Sequence, residues 1–163
     1  MLTARPATCA DGDFLLRLRN DPATVAASRV QQSVTPEEHA AWLTTVLADP
    51  ARRLMIVELE WWDADAIHGG GRFLERIGTY RLDGIGTETV EVSLTVAPEE
   101  RGRGYARQII ALATDHAWTF ARTARVVATA RTNNRASLIA FLRAGYALHP
   151  NGFAELVYVE GGT

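Results

Sequence analysis

Cysteine is almost absent from the chain, because Cys9 is the single one among 163 residues. One thiol can form no intramolecular disulfide and no thiolate metal cage. Long apolar runs are also missing: no segment approaches the roughly 18 residues of a membrane span, and the N-terminus lacks the apolar stretch of a signal peptide. We therefore expect a soluble protein of the reducing cytoplasm, with no membrane partner.

The chain also has no large excess of positive or negative charge. Lys and Arg total 17 against 19 Asp and Glu, a net charge of −2, which argues against nucleic acid as a partner. The four histidines, His39, His68, His116 and His149, are scattered, and their spacing fits no metal site, so we predict no metal. A hydrophobic content of 47% and this length predict one compact domain over residues 1–163.

Hydrophobic periodicity predicts strands and helices of a mixed α+β chain. The clearest strand is Thr89–Val96, where polar and apolar residues alternate strictly. The clearest helix begins after Thr35, which Glu38 follows three residues later as in a capping box. An earlier helix is expected to begin near Asp11 and to end or be interrupted at Pro22. Weaker patterns predict further strands over 54–60, 77–82, 126–130 and 153–159 and a helix over 136–144.

Two connections are predicted from turn residues. The segment 61–72 contains Gly69, Gly70 and Gly71 and is expected to be a flexible, exposed connection. The segment 149–152, His-Pro-Asn-Gly, is typical of the turn of a hairpin.

The segment Arg101-Gly102-Arg103-Gly104-Tyr105-Ala106 separates the alternating strand from a helical pattern. A glycine turn at a helix N-terminus presents backbone N–H groups and the positive end of the helix dipole to one point, which suits a phosphate. Arg101, Arg103 and Arg107 could add charge-assisted hydrogen bonds. An ordinary loop with solvated arginines is the alternative that this segment alone leaves open.

Two motifs together resemble the GNAT acetyltransferase family. The six residues 101–106 fit its signature of arginine or glutamine, two variable residues, glycine, one variable residue, and glycine or alanine. The segments 133–138 and 141–146 look like its second cofactor motif, an Asn at the start of a helix that ends in Gly and an aromatic. The resemblance covers about Thr89 to Tyr146. In addition, Arg19-Asn20-Asp21 and the Glu37 to Trp42 segment resemble a GNAT subgroup that includes acetyltransferases acting on nucleotide-linked amino sugars.

The resemblance implies a mixed, mostly antiparallel sheet of about seven strands, flanked by about four helices, with a splayed central strand pair. It also implies a bulge in the fourth strand near Leu94 or Thr95, which would aim an N–H at the thioester oxygen of acetyl-CoA. The implied contacts to coenzyme A lie on that strand, the loop and the last helix: Leu94, Thr95, Val96, Arg101, Gly102, Arg103, Gly104, Tyr105, Ala106, Arg107, Asn134, Ser137 and Phe141.

Catalysis in the family implies a base that removes a proton from the attacking amine. Glu91, on the polar face of the strand, is the candidate; a solvated strand residue or a salt-bridge partner is the alternative. Phe141 stands where many members carry a proton-donating Tyr, and a phenyl ring cannot donate. Tyr158 or water could serve as the acid, or the thiolate, with a pKa of about 8.5 as the free thiol, could leave unassisted.

The expected function is therefore transfer of an acetyl group from acetyl-CoA to a primary amine of a small molecule, an amino sugar first. A protein N-terminus, an aminoglycoside, and a non-catalytic acyl-CoA sensor are the alternatives. The acceptor pocket is expected among the first helices, the 61–72 connection and the last hairpin. His39 is expected to pack with Trp42 and Leu43 rather than to act as a base. Monomer and homodimer stay equally open.

Overall fold

A computed structural model describes residues 1–63, 71–121, 125–148 and 155–158. Its strands form one seven-stranded sheet in the order β1, β2, β3, β4, β5, β7, β6. Their bounds are β1 Leu2–Pro6, β2 Arg52–Asp63, β3 Gly71–Asp83, β4 Thr89–Val96, β5 Arg125–Thr129, β6 Tyr146–Leu148 and β7 Glu155–Tyr158. The predicted α+β class and strand number are confirmed.

The centre of the sheet is a parallel pair among antiparallel neighbours. Strands β4 and β5 are paired only where Thr89 to Glu91 lie opposite Arg125 to Val127. Strand β4 continues to Val96 with β3 as its remaining partner. The predicted splayed pair is confirmed, and among the described residues it leaves the second half of β4 with one unpaired backbone edge.

Five α-helices lie in the described residues: α1 Gly12–Asn20, α2 Pro22–Ala27, α3 Pro36–Ala48, α4 Tyr105–Ala121 and α5 Arg135–Arg143. The additional helix is the short α2. Pro22 ends the first helix, as expected, but it also begins the next, because the first position of a helix needs no N–H donor. The side chain of Asp21 caps α2 by accepting from the Thr24 amide at 3.0 Å.

Helix α3 begins as the sequence predicts. The Glu38 amide donates to the Thr35 hydroxyl at 3.2 Å, and the Thr35 amide donates to the Glu38 carboxylate at 2.7 Å. His39, Leu43 and Val46 are buried along one face of the helix, which confirms the predicted packing of His39.

Strand β2 shows how the helices are divided between the two faces of the sheet. Leu54 and Ile56 belong to a buried cluster with residues of α1 and α3. Met55 and Val57 belong to a second cluster with residues of α4. Since successive side chains of a strand point to opposite faces, α1 and α3 cover one face and α4 covers the other.

The strands β2 and β3 are longer than predicted. They include both ends of the expected connection 61–72, and Trp61 stacks on its cross-strand partner Phe73 with ring centroids 4.7 Å apart. Aromatic cross-strand pairs stabilise the pairing of two strands. The three consecutive glycines had instead led us to expect a flexible connection throughout 61–72. Residues 64–70 and the predicted turn 149–152 lie outside the described residues.

The expected bulge in the fourth strand is wrong. The register between β3 and β4 runs without a shift from Asp83 opposite Glu91 to Gly78 opposite Val96. The irregularity lies instead between β2 and β3, where Val57 faces Gly78 and Glu58 faces Arg76. The extra residue is therefore in β3, one strand away from the expected place.

Gly78 allows β3 and β4 to approach closely. A Cβ at this position would lie 2.6 Å from the Thr95 carbonyl oxygen and 3.3 Å from Ile109 Cδ1. We expect Gly78→Ala to lower the free energy of unfolding by about 1–3 kcal/mol, because a backbone oxygen cannot move aside without distorting the ladder. Urea unfolding followed by circular dichroism measures this change.

Gly12→Ala is the matched control for Gly78→Ala. Gly12 is helical, with φ −53°, and its added Cβ would make an ordinary contact of 3.7 Å with Leu43. We expect this variant to be as stable as the wild type or more stable by up to about 1 kcal/mol. Equal stability of both variants would show that the approach at Gly78 is not tight.

Candidate functional site

A cavity of about 720 Å³ runs through the fold from the first three helices to α5. It passes over β3 and β4 at the place where β4 and β5 are no longer paired. Six of the residues that the sequence singled out line it together: Glu91, Leu94, Thr95, Asn134, Ser137 and Phe141. The structure thus brings the candidate base and part of the candidate cofactor contacts into one space.

The loop after β4 has the features of an anion cradle. Gly102 and Gly104 have φ angles of 77° and 84°, a left-handed conformation that favours glycine. A Cβ at either position would meet no atom within 4 Å, so the space in front of the loop is open. The amides of residues 102–104 have no hydrogen-bond partner within the described part of the chain, and α4 begins directly after them. These amides and the helix N-terminus can bind an anion.

The arginines of the loop have different surroundings. Arg101 lies 2.7 Å from the Asp21 carboxylate and 3.1 Å from the Thr24 hydroxyl, so it ties the loop to α2. Burial alone would raise the pKa of Asp21, but the hydrogen bonds from Arg101 and Thr24 lower it. Arg103 pairs with the buried Glu100 at 3.3 Å, and Arg107 is exposed. Of the three arginines, Arg101 thus has an ion pair that connects the loop to Asp21, 80 residues away in sequence.

The second motif surrounds the start of α5. The Asn134 side chain caps the helix by accepting from the Ser137 amide at 3.1 Å. Phe141 is 3% exposed and packs edge to face against Tyr146, with ring centroids 5.0 Å apart. Asn134, Ser137 and Phe141 belong to the wall of the cavity.

Glu91 lies on the cavity wall with its carboxylate 2.7 Å from the guanidinium of Arg29. Its side chain is 31% exposed, so both solvent and a ligand can reach it. Glu91 is therefore a salt-bridge partner, the alternative that the sequence left open, and its role as the base stays a prediction. Tyr158, the candidate acid, pairs through its backbone with Tyr146 in the sheet, and its side chain lies outside the described part of the structure.

Several charged residues of the cavity were not singled out from the sequence. Arg29 follows α2, Arg52 lies on β2, and Arg81 and Asp83 lie on β3. None of them belongs to a local motif, so no sequence signal could have assigned them to the site. Arg19, from the Arg-Asn-Asp triplet, lines the cavity and also donates to the carbonyls of Val30 and Gln32.

The described residues contain neither a candidate metal site nor a candidate membrane-spanning helix. No group of three or more His, Cys, Asp or Glu side chains there could hold a metal ion. No helix in the same part of the chain is long and apolar enough to cross a membrane.

The fold and the site together define an α+β domain with a glycine-containing loop and a cavity beside a splayed parallel strand pair. A family model described as an acetyltransferase (GNAT) domain matches residues 1–147. The chain therefore belongs to the GNAT acetyltransferase family, as the two sequence motifs predicted. A sequence search of curated proteins found no match.

Solved structures with the same fold include three that differ in source and ligand. A domain from Methanocaldococcus jannaschii is 18% identical, with a TM-score of 0.78 over 97% of this chain and 96% of that one. Spermidine N-acetyltransferase from Vibrio cholerae, in complex with CoA and spermine, is 22% identical, with a TM-score of 0.75 over 96% and 91%. Aminoglycoside acetyltransferase AAC(6')-Ib, in complex with coenzyme A, is 16% identical, with a TM-score of 0.73 over 98% and 95%.

Proposed function

We propose that this protein transfers an acetyl group from acetyl-CoA to a primary amine of a small molecule. The observation that carries the proposal is the single cavity that contains both Glu91 and the unpaired half of β4. A donor held along β4 and an amine beside Glu91 would meet there. Membership in the GNAT family supports the reaction class, and CoA in two structures of the same fold supports the donor.

The residues of the loop and of β4 fit coenzyme A. The unpartnered amides of residues 102–104 and the open space in front of Gly102 and Gly104 suit a pyrophosphate. The unpaired edge of β4 around Leu94 and Thr95 offers backbone donors and acceptors to the amides of the pantetheine arm, as an added strand would. Asn134 and Ser137 lie at the same opening between β4 and β5.

Glu91 is the group of this site that we assign to proton removal. An ammonium cannot attack a thioester, so the amine must lose a proton before the C–N bond forms and the C–S bond breaks. The thioester supplies the acetyl group, and the sulfur leaves as a thiolate that needs no protein acid, since the free thiol has a pKa of about 8.5. This route is consistent with Phe141 at the position where many family members have a Tyr. It requires no metal and is expected to proceed in the cytoplasm.

A thiol-release assay with acetyl-CoA and a panel of primary amines tests the proposal. EDTA is present throughout, because the proposed chemistry needs no metal. We expect thiol release that depends on an amine, with an equal amount of N-acetylated product by mass spectrometry. Acetyl-CoA binding without turnover of any amine would contradict the proposal and favour a sensor of acyl-CoA.

A further inference from the structure

The ionisable side chains of the cavity are more basic than acidic. Four arginines and three carboxylates line it: Arg19, Arg29, Arg52, Arg81, Glu38, Asp83 and Glu91. Arg52 and Arg81 lie 3.3 and 2.8 Å from Asp83, and Arg29 lies 2.7 Å from Glu91. Glu38 accepts from the Thr35 amide as part of the helix cap. Asp83 and Glu91 therefore have cationic partners, although Asp83 Oδ1 makes no hydrogen bond, whereas the exposed Glu38 has only the neutral amide of the helix cap.

Arg19 is the cation of this group that faces no carboxylate in the described structure. One of its guanidinium nitrogens donates to the carbonyls of Val30 and Gln32, at 3.1 and 2.9 Å. These neutral acceptors do not compensate the positive charge. Its other terminal nitrogen is buried and has no hydrogen-bond partner, which is unusual for a buried donor.

His39 lies on the same part of the cavity wall and has a second unpartnered polar atom. Its side chain is 5% exposed, and Nε2 makes no hydrogen bond. Burial lowers the pKa of His39, and the charge of Arg19 lowers it further. The imidazole is therefore neutral near pH 7, and it adds no charge to this part of the cavity.

We infer, on the basis of the proposed function, that the acceptor amine also carries an oxyanion, a carboxylate or a phosphate, and that Arg19 and Arg29 bind it. A polycation such as a polyamine would find one cavity carboxylate without a cationic partner, Glu38, and it would meet the uncompensated charge of Arg19. An oxyanion instead matches the forked donors of an arginine.

Arg29 can change partners when such an amine binds. Its side chain is 74% exposed, and an exposed ion pair contributes little stability, so exchanging the Glu91 carboxylate for the oxyanion of the ligand is inexpensive. Arg29 directly precedes Val30, whose carbonyl Arg19 holds, so the two arginines act on one short segment. The exchange would also release Glu91 to accept a proton from the amine.

Matched pairs of amines test this inference. Glucosamine 6-phosphate is compared with glucosamine, and an α-amino acid with its amide, so each pair differs by one oxyanion. Spermidine and kanamycin serve as polycations. We expect kcat/KM to be at least about tenfold higher for the anionic member of one pair, as one or two hydrogen bonds to a charged group would give. The pair that responds distinguishes phosphate from carboxylate.

Equal or faster turnover of the neutral analogues or the polycations would overturn the inference and leave the proposed acetyl transfer intact. Absence of turnover with every amine would instead contradict the acetyl transfer, and this inference with it. The two failures are therefore distinguishable in the same assay.

The substitution Arg29→Gln tests the role of this side chain independently of the amine comparison. We expect it to lower the ratio of kcat/KM for the anionic amine to that for the neutral analogue at least about tenfold. The ratio removes any effect that loss of the Glu91 ion pair has on both amines alike. Arg53→Gln is the control, because Arg53 is exposed, bonds backbone carbonyls of Pro50 and Arg52, and does not line the cavity. An equal loss for both members of the pair in Arg29→Gln would overturn the role of this side chain.

Discussion

Replacing Glu91 with glutamine is expected to lower kcat for amine acetylation by about 10²- to 10⁴-fold, the usual contribution of a general base. Glutamine keeps the size of the side chain and its reach into the cavity, but it cannot accept a proton from the amine. Acetyl-CoA affinity should stay within about twofold, because the proposed donor contacts are backbone groups of β4 and the loop. Steady-state kinetics and calorimetric titration separate the two effects.

Glu75→Gln is the control for this substitution. Glu75 is an exposed carboxylate on β3 that does not line the cavity, so the same change of charge there should leave kcat unchanged. A Glu91→Gln enzyme that turns over at the wild-type rate would show that the base is another group or water, and that Glu91 is only the ion-pair partner of Arg29.

Replacing Gly104 with valine is expected to weaken acetyl-CoA binding by about 100-fold or more, equivalent to two lost hydrogen bonds to a charged group. The φ of 84° at this position is unfavourable for a β-branched residue, and the new side chain would project into the open space next to the loop. Isothermal titration calorimetry with acetyl-CoA measures the change in Kd.

Gly86→Val separates strain from loss of the ligand site. Gly86 has a φ of 86°, and a Cβ there also meets nothing within 4 Å, but it lies in the turn between β3 and β4. Both valines should destabilise the fold by a similar amount, about 1–3 kcal/mol. If Gly86→Val weakens binding as much as Gly104→Val, the effect is general strain and the loop is not the pyrophosphate site.

The parts of the site that the sequence predicted are local in the chain. Strand β4, the glycine loop and the start of α4 are consecutive, and the capping box of α3 spans four residues. Hydrogen bonding and backbone conformation within such short segments depend mainly on neighbouring residues. The second motif at Asn134 was predictable for the same reason, because the side chain caps its own helix.

The parts that the sequence did not predict depend on contacts between distant residues. Arg101 meets Asp21 and Arg29 meets Glu91 only after the helices have packed on the sheet. The bulge was predicted in β4 but lies in β3, because the register of a sheet depends on both paired strands and not on one strand alone. The extension of β2 and β3 beyond the predicted ends depends on cross-strand pairs such as Trp61 with Phe73. The extent of the domain and the role of Tyr158 stay predictions.

A crystal structure of the protein grown with coenzyme A tests the central claim most directly. We expect pyrophosphate oxygens about 2.7–3.2 Å from backbone nitrogens of residues 102–107 and a pantetheine arm between β4 and β5, with its sulfur end toward Glu91. Coenzyme A bound elsewhere, or with its pyrophosphate held by side chains away from this loop, would contradict it.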